Sequence, residues 1–106
     1  MQWLDKEQTA GKARPYLFSQ CQAIHARSML PCADAPGQKA TYTATVKAPR
    51  WATVLMSALG EGQEDSEAGL RVWHYRQPVA CSSYLIAVAV GDLASKEVSP
   101  RCRVWR

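Results

Sequence analysis

Two glutamines, Gln20 and Gln22, flank Cys21 in the stretch FSQCQAIHARSMLPCADAP. In extended backbone alternate side chains share a face, so both amides would project together with Phe18 beside them, while Ser19 and Cys21 point the other way. Neutral amides offer donors and acceptors, the chemistry that recognises a peptide backbone or an amine. An exposed polar sheet edge would show the same pattern, and spacing alone leaves both readings open. The other reactive residue types are poorly placed for catalysis. Cys21 and His25 can be drawn as a nucleophile and base, but the spacing fits no family signature and favours a structural role. His25 and His74 stand in different segments, and no H-E-x-x-H, G-x-S-x-G or phosphate-loop pattern occurs. Glu61, Glu64, Asp65 and Glu67 crowd a glycine-flanked loop that cannot hold carboxylates at the fixed separation acid–base work needs. Asp34, between Pro31 and Pro36, reads as a turn-forming aspartate bonded to nearby backbone. The residues thus assign no catalytic group and no metal ligand.

The elements that must position the glutamines are short strands. In TYTATVKA, Tyr42, Ala44, Val46 and Ala48 alternate with Thr41, Thr43, Thr45 and Lys47, the period of a half-buried strand. TVLMSAL (53–59) and LRVWHYR (70–76) read as a hairpin joined by the long loop GEGQEDSEAG. YLIAVAVG (84–91) lacks alternation and suits a central strand buried on both faces, with a short buried helix as its alternative. RCRVWR forms a last strand. Residues 23–30 have room for a turn or two of helix before Pro31 ends it. Turn signals near 36, 49, 60–69, 78, 91 and 100 complete a mostly β pattern, an antiparallel sheet or sandwich.

With 106 residues there is room for one core at most. Apolar residues at 47% and charged residues at 21% are ordinary for a globular chain. The charge of +4 is scattered apart from Arg101, Arg103 and Arg106, so it reads as solvation and no nucleic-acid binding is expected. The longest apolar run, Tyr84–Val90, is far short of the ~20 residues of a membrane span, and no apolar leader follows Met1, so a cytoplasmic chain without a membrane role is expected. Cys21, Cys32, Cys81 and Cys102 form no C-x-x-C pair and are expected to be buried free thiols.

Three segments carry a family resemblance. ARSMLPCADAPGQK is similar to the A-R-x-x-x-P-C-x-D-x-P-x-x-K segment of the zinc aminopeptidases that include aminopeptidase N, aminopeptidase B and leukotriene A4 hydrolase, with Arg27, Pro31, Cys32, Asp34, Pro36 and Lys39 in place. SSYLIAVAVGDL and SPRCRVWR resemble later motifs of that family, and QWLDKEQTAGK leading into the Q-x-Q resembles its aminopeptidase B and leukotriene A4 hydrolase branch.

The resemblance implies that residues 1–106 are a single partial domain, the second half of a saddle-like N-terminal β domain that packs on a catalytic domain. It implies zinc in the parent enzyme and none bound by this chain, whose sequence contains neither H-E-x-x-H nor G-x-M-E-N, so the chain alone is expected to be inactive. It makes Gln20, Cys21, Gln22 and Ala23 the candidate substrate-binding segment, facing the N-terminus of a peptide. Gln22 stands where aminopeptidase N-like members carry a glutamate. The alternative is a stand-alone β-sheet module that binds a protein partner through an open edge.

Overall fold

A computed structural model describes every residue from Met1 to Arg106 and contains nine strands, all paired antiparallel. The mostly β antiparallel expectation is met. A four-stranded sheet has the order β1-β2-β7-β4, built from β1 (Gln2–Leu4), β2 (Tyr16–Phe18), β7 (Val88–Gly91) and β4 (Thr53–Met56). A three-stranded sheet has the order β3-β6-β5, from β3 (Lys39–Pro49), β6 (Leu70–Ser82) and β5 (Leu59–Asp65). Strands β8 (Ser95–Ser99) and β9 (Cys102–Trp105) form a separate ribbon, exposed along its length.

Strand β3 follows its alternation. Tyr42, Ala44, Val46 and Ala48 face inward and the threonines face solvent. Opposite it, β6 runs past Pro78, where a turn was expected. Ala40 pairs with Cys81 and Tyr42 with Gln77, so residues 78–80 bulge out of the ladder. A proline has no N–H for the ladder, and a bulge is where a strand tolerates one.

The core lies where the two larger sheets meet. Ala48 and Tyr75 from one sheet pack with Val54 from the other and with Ala52, and Trp73, Val46, Met56 and Val90 surround them. The Tyr75 hydroxyl donates to the Val54 carbonyl across the junction. Ser57 joins the sheets again. Its hydroxyl meets Tyr42 Oη at 2.9 Å and accepts from Ala87 N at 3.0 Å, and its carbonyl accepts from Gln77 Nε2 at 2.9 Å. Only ten of the 106 residues are buried, so this core is small for the chain length.

Several sequence expectations are corrected. Residues 53–59 and 70–76 are not a hairpin: β4 pairs with β7, and the chain changes sheets at Ser57–Ala58 before β5 pairs with β6. The acidic stretch 60–69 is mainly strand. Three of its carboxylates have partners across the ladder, with Glu61 3.1 Å from Arg76, Glu64 3.2 Å from His74 and Asp65 2.9 Å from Arg71, so repulsion does not open it into a loop. Gly62, at φ 116, supplies the backbone that the Gly60/Gly62 bulge needs. In 84–91 the first part is a 3-10 turn, Ser83–Leu85, and only 88–91 is strand, central in its sheet and half-buried rather than covered on both faces. The four thiols are free, but Cys32 and Cys102 are exposed and only Cys21 is buried.

Candidate substrate-binding segment

Residues 19–36 form a strap over the end of the four-stranded sheet, fastened at three points to the single stretch 82–88. At its start, Ser19 N donates to Val88 O at 3.0 Å and Val88 N donates to Ser19 Oγ at 2.9 Å, closing the β2–β7 ladder. Toward its end, Ser83 Oγ donates to Asp34 Oδ1 at 2.6 Å. Near its end, Ser82 Oγ donates to Pro36 O at 2.6 Å.

Between the first two fastenings the chain leaves the sheet and turns. Strand β2 stops at Phe18, so Gln20 and Gln22 do not lie on an extended segment as expected. The physical reason is a local hydrogen bond that competes with the ladder: Gln20 Oε1 accepts from Gln22 N at 2.8 Å, bending the backbone between them. The Gln22–Ala23 peptide bond is cis. Cys21 O then accepts from His25 N at 2.9 Å, and a 3-10 turn, Ala26–Ser28, follows, with Leu30 N bonded back to Ala26 O at 3.0 Å. This fits the expected one or two helical turns before Pro31.

Burial separates the residues of this turn. Cys21 at 2% and Ala26 at 0% exposure pin it to the body, whereas Gln20, Gln22, Ala23, Ile24 and His25 are exposed. Gln20 uses its amide oxygen internally and keeps its amide nitrogen free, while the Gln22 amide has no hydrogen bond within the chain. Cys21 is buried as a whole residue and its carbonyl is taken by His25 N, so the structure makes it an anchor of the turn and not a contact surface. The arrangement presents neutral donors and acceptors on a held turn, a surface for a peptide backbone or an ammonium.

The carboxylate that holds the turn is Asp34, which was expected to make only local bonds. Its Oδ2 accepts from Arg27 N at 3.0 Å and Arg27 Nε at 3.1 Å, and Arg27 Nη2 reaches the Asp34 carbonyl at 3.1 Å. The Ser83 hydroxyl, foremost, and then the backbone and side chain of Arg27 hold the Asp34 carboxyl below the usual carboxylate range, against the opposing effect of burial. Sequence reasoning found Arg27 and Asp34 as family markers but not their contact with Ser83, which lies 49 positions beyond Asp34.

The chain has two notable grooves. One of about 390 Å³, lined by Tyr16, Phe18, Ser19, Leu55, Met56 and Val88, begins where the strap leaves the sheet. A wider one of about 700 Å³ lies along residues 8–16 and includes Arg14, Asp92 and Arg106, with the Arg14 guanidinium 4.9 Å above the Trp51 ring. No three His, Cys, Asp or Glu side chains converge.

Residues 4–85 match the family model for the peptidase M1 N-terminal domain. Leukotriene A-4 hydrolase of Xenopus laevis is 50% identical over 107 residues, a match that takes in 99% of this chain and 18% of that protein. Yeast leukotriene A4 hydrolase in complex with bestatin superimposes with a TM-score of 0.83 at 41% identity, covering 98% of this chain and 15% of that one. A mutant M1 zinc metallopeptidase of Deinococcus radiodurans bound to a Tyr-Ser-Ala substrate gives 0.70 at 27% identity, covering 85% and 22%. The chain therefore spans less than a quarter of the proteins it resembles, and with its strand order, its R-x-x-x-P-C-x-D-x-P strap and a family match over most of its length it belongs to the N-terminal domains of the M1 zinc aminopeptidase family.

Proposed function

We propose that this chain supplies the substrate-holding part of an M1 aminopeptidase, in which the turn Gln20–Ala23 contacts the amino-terminal end of a peptide while zinc and the reacting groups come from a catalytic domain. The observation that carries the proposal is the turn itself: Gln22 and Ala23 stand exposed with the Gln22 amide unpaired, on a backbone pinned by buried Cys21 and Ala26. Bestatin and Tyr-Ser-Ala are bound by the two solved relatives, which supports a peptide-like ligand. Of the candidate residues, Gln22 has the side chain freest to bind, Gln20 contributes its amide nitrogen, and buried Cys21 anchors the turn from beneath. A carboxylate in the place of Gln22 would give a charge-assisted bond to an ammonium, about twice as strong as the neutral one available here.

The test places residues 1–106 in register into the yeast leukotriene A4 hydrolase they match and measures aminopeptidase kinetics. Gln22→Ala is expected to raise KM about tenfold with little change in kcat, the loss of roughly one hydrogen bond to a charged group. An unchanged KM would overturn the proposal.

A second reading has its own observation. Trp3, Ile24, Leu59, Val79 and Leu85 are each 46% exposed or more, and the outer edges of β3 and β5 have no neighbouring strand. These surfaces fit packing against a catalytic domain, and equally a stand-alone module that captures a protein partner. Cooperative unfolding of the isolated chain as a soluble monomer favours the module, and solubility gained only on co-expression with a catalytic domain favours the aminopeptidase part.

A further inference from the structure

The local bonds of the exposed turn do not by themselves fix it to the sheet. His25, the residue that begins the 3-10 turn Ala26–Ser28, makes no side-chain capping bond, so the first N–H groups of that turn need an acceptor from elsewhere. Asp34 provides it. Its Oδ2 takes the Arg27 N–H while its Oδ1 is fixed by Ser83, and its side chain is 1% exposed. Arg27, 59% exposed on its side chain, closes the ring from outside by bonding both the Asp34 carboxylate and the Asp34 carbonyl. Ser83 begins the connection between β6 and β7, and five residues later Val88 fixes the start of the strap. On its carboxyl-terminal side the turn that carries Gln20–Ala23 is thus tied to the sheet through one buried carboxylate, as Ser19 and Val88 tie it on the other.

We propose that Asp34, oriented by Ser83, is a positioning residue for the substrate-facing turn, fixing the height and direction of Gln22 through Arg27 N and the buried Ala26. The inference rests on the assignment of Gln20–Ala23 to substrate binding and extends it to residues that touch no substrate. A carboxylate is required because its two oxygens serve opposite directions at once, Ser83 on one side and Arg27 on the other, and because the Arg27 guanidinium leaves it charged.

The experiment uses the same joined enzyme and three variants: Gln22→Ala, Ser83→Ala and the double variant. Ser83→Ala is chosen over Asp34→Ala because it removes one hydrogen bond and keeps the charge pair, so the protein still folds. Ser83→Ala is expected to raise KM three- to tenfold and to weaken bestatin binding by the same factor, with kcat per active site changed less than twofold. In the double variant KM is expected to stay within twofold of Gln22→Ala alone, because the serine acts through that side chain. A Ser83→Ala enzyme with lowered Tm but unchanged KM and bestatin affinity would reduce the network to a structural brace and overturn the inference, as would fully multiplicative effects in the double variant. If Gln22→Ala itself leaves KM unchanged, the underlying substrate assignment fails first and takes this inference with it.

Discussion

Two Asp–Arg pairs of almost equal length do different work in this chain. Asp34 and Arg27 meet at 3.1 Å with the carboxylate 1% exposed, and Asp65 and Arg71 meet at 2.9 Å with the carboxylate 54% exposed. In both, a hydrogen bond foremost holds the aspartate below its usual range, from Ser83 for Asp34 and from Arg71 for Asp65. Distance therefore does not distinguish them. What does is what each would leave behind. Without its partners, Asp34 would be a charge removed from water, and the Arg27 N–H would lose its acceptor, whereas Asp65 and Arg71 would simply be rehydrated. The first pair shapes the backbone that carries the proposed binding residues, and the second decorates the exposed edge pairing of β5 with β6 in the three-stranded sheet.

The largest expected effect that tests this contrast is Asp34→Ala. It should lower the thermal midpoint more than any other single carboxylate change and make the bonds around residues 22–30 the first cut in limited proteolysis. Equal loss from Asp65→Ala would break the contrast. Ser83→Ala should cost about 1–2 kcal/mol in denaturant unfolding, the usual worth of a buried hydrogen bond to a charged group.

Acid titration gives a third measure. Because the folded carboxyl of Asp34 is depressed, the stability it provides is complete above about pH 4, the ordinary aspartate value, and is lost as pH falls through the lower folded value. Asp34→Asn should accordingly flatten the fall in stability below pH 4. Asp65 has the same sign but is open to solvent, so Asp65→Asn should flatten it far less. Smallest of all should be the salt response: 1 M NaCl is expected to erase whatever Asp65→Ala changes while leaving the Asp34→Ala deficit in place.

Where the physics is local the sequence was readable, and where it is long-range it was not. Strand β3 was plain because alternation over 41–48 needs no information from elsewhere. Strand β5 was missed because its acidic residues look repulsive until Arg71, His74 and Arg76 are placed opposite them. The supposed 53–76 hairpin failed because Ser57, an unremarkable residue in sequence, bonds both sheets and marks the crossing between them. At the candidate site, the glutamines, Arg27 and Asp34 were all singled out, two by amide chemistry and two by family resemblance. Their geometry was not. The bend at Gln20–Gln22 depends on one side-chain-to-backbone bond, and the carboxylate's chief partner, Ser83, stands in a segment whose family resemblance gives no sign of a contact 49 positions back.

The three fastenings of the strap have a temporal consequence. Synthesis runs from the amino-terminal side, so the glutamine turn is made well before the residues that fasten the strap over long range: Val88 follows Ser19 by 69 positions and Ser83 follows Asp34 by 49. Until those residues emerge, the strap has only its own short-range bonds, and closing such wide loops is the slow, entropically opposed part of assembly. The surface that would meet a peptide thus gains its long-range bonds only once residues 82–88 have been made.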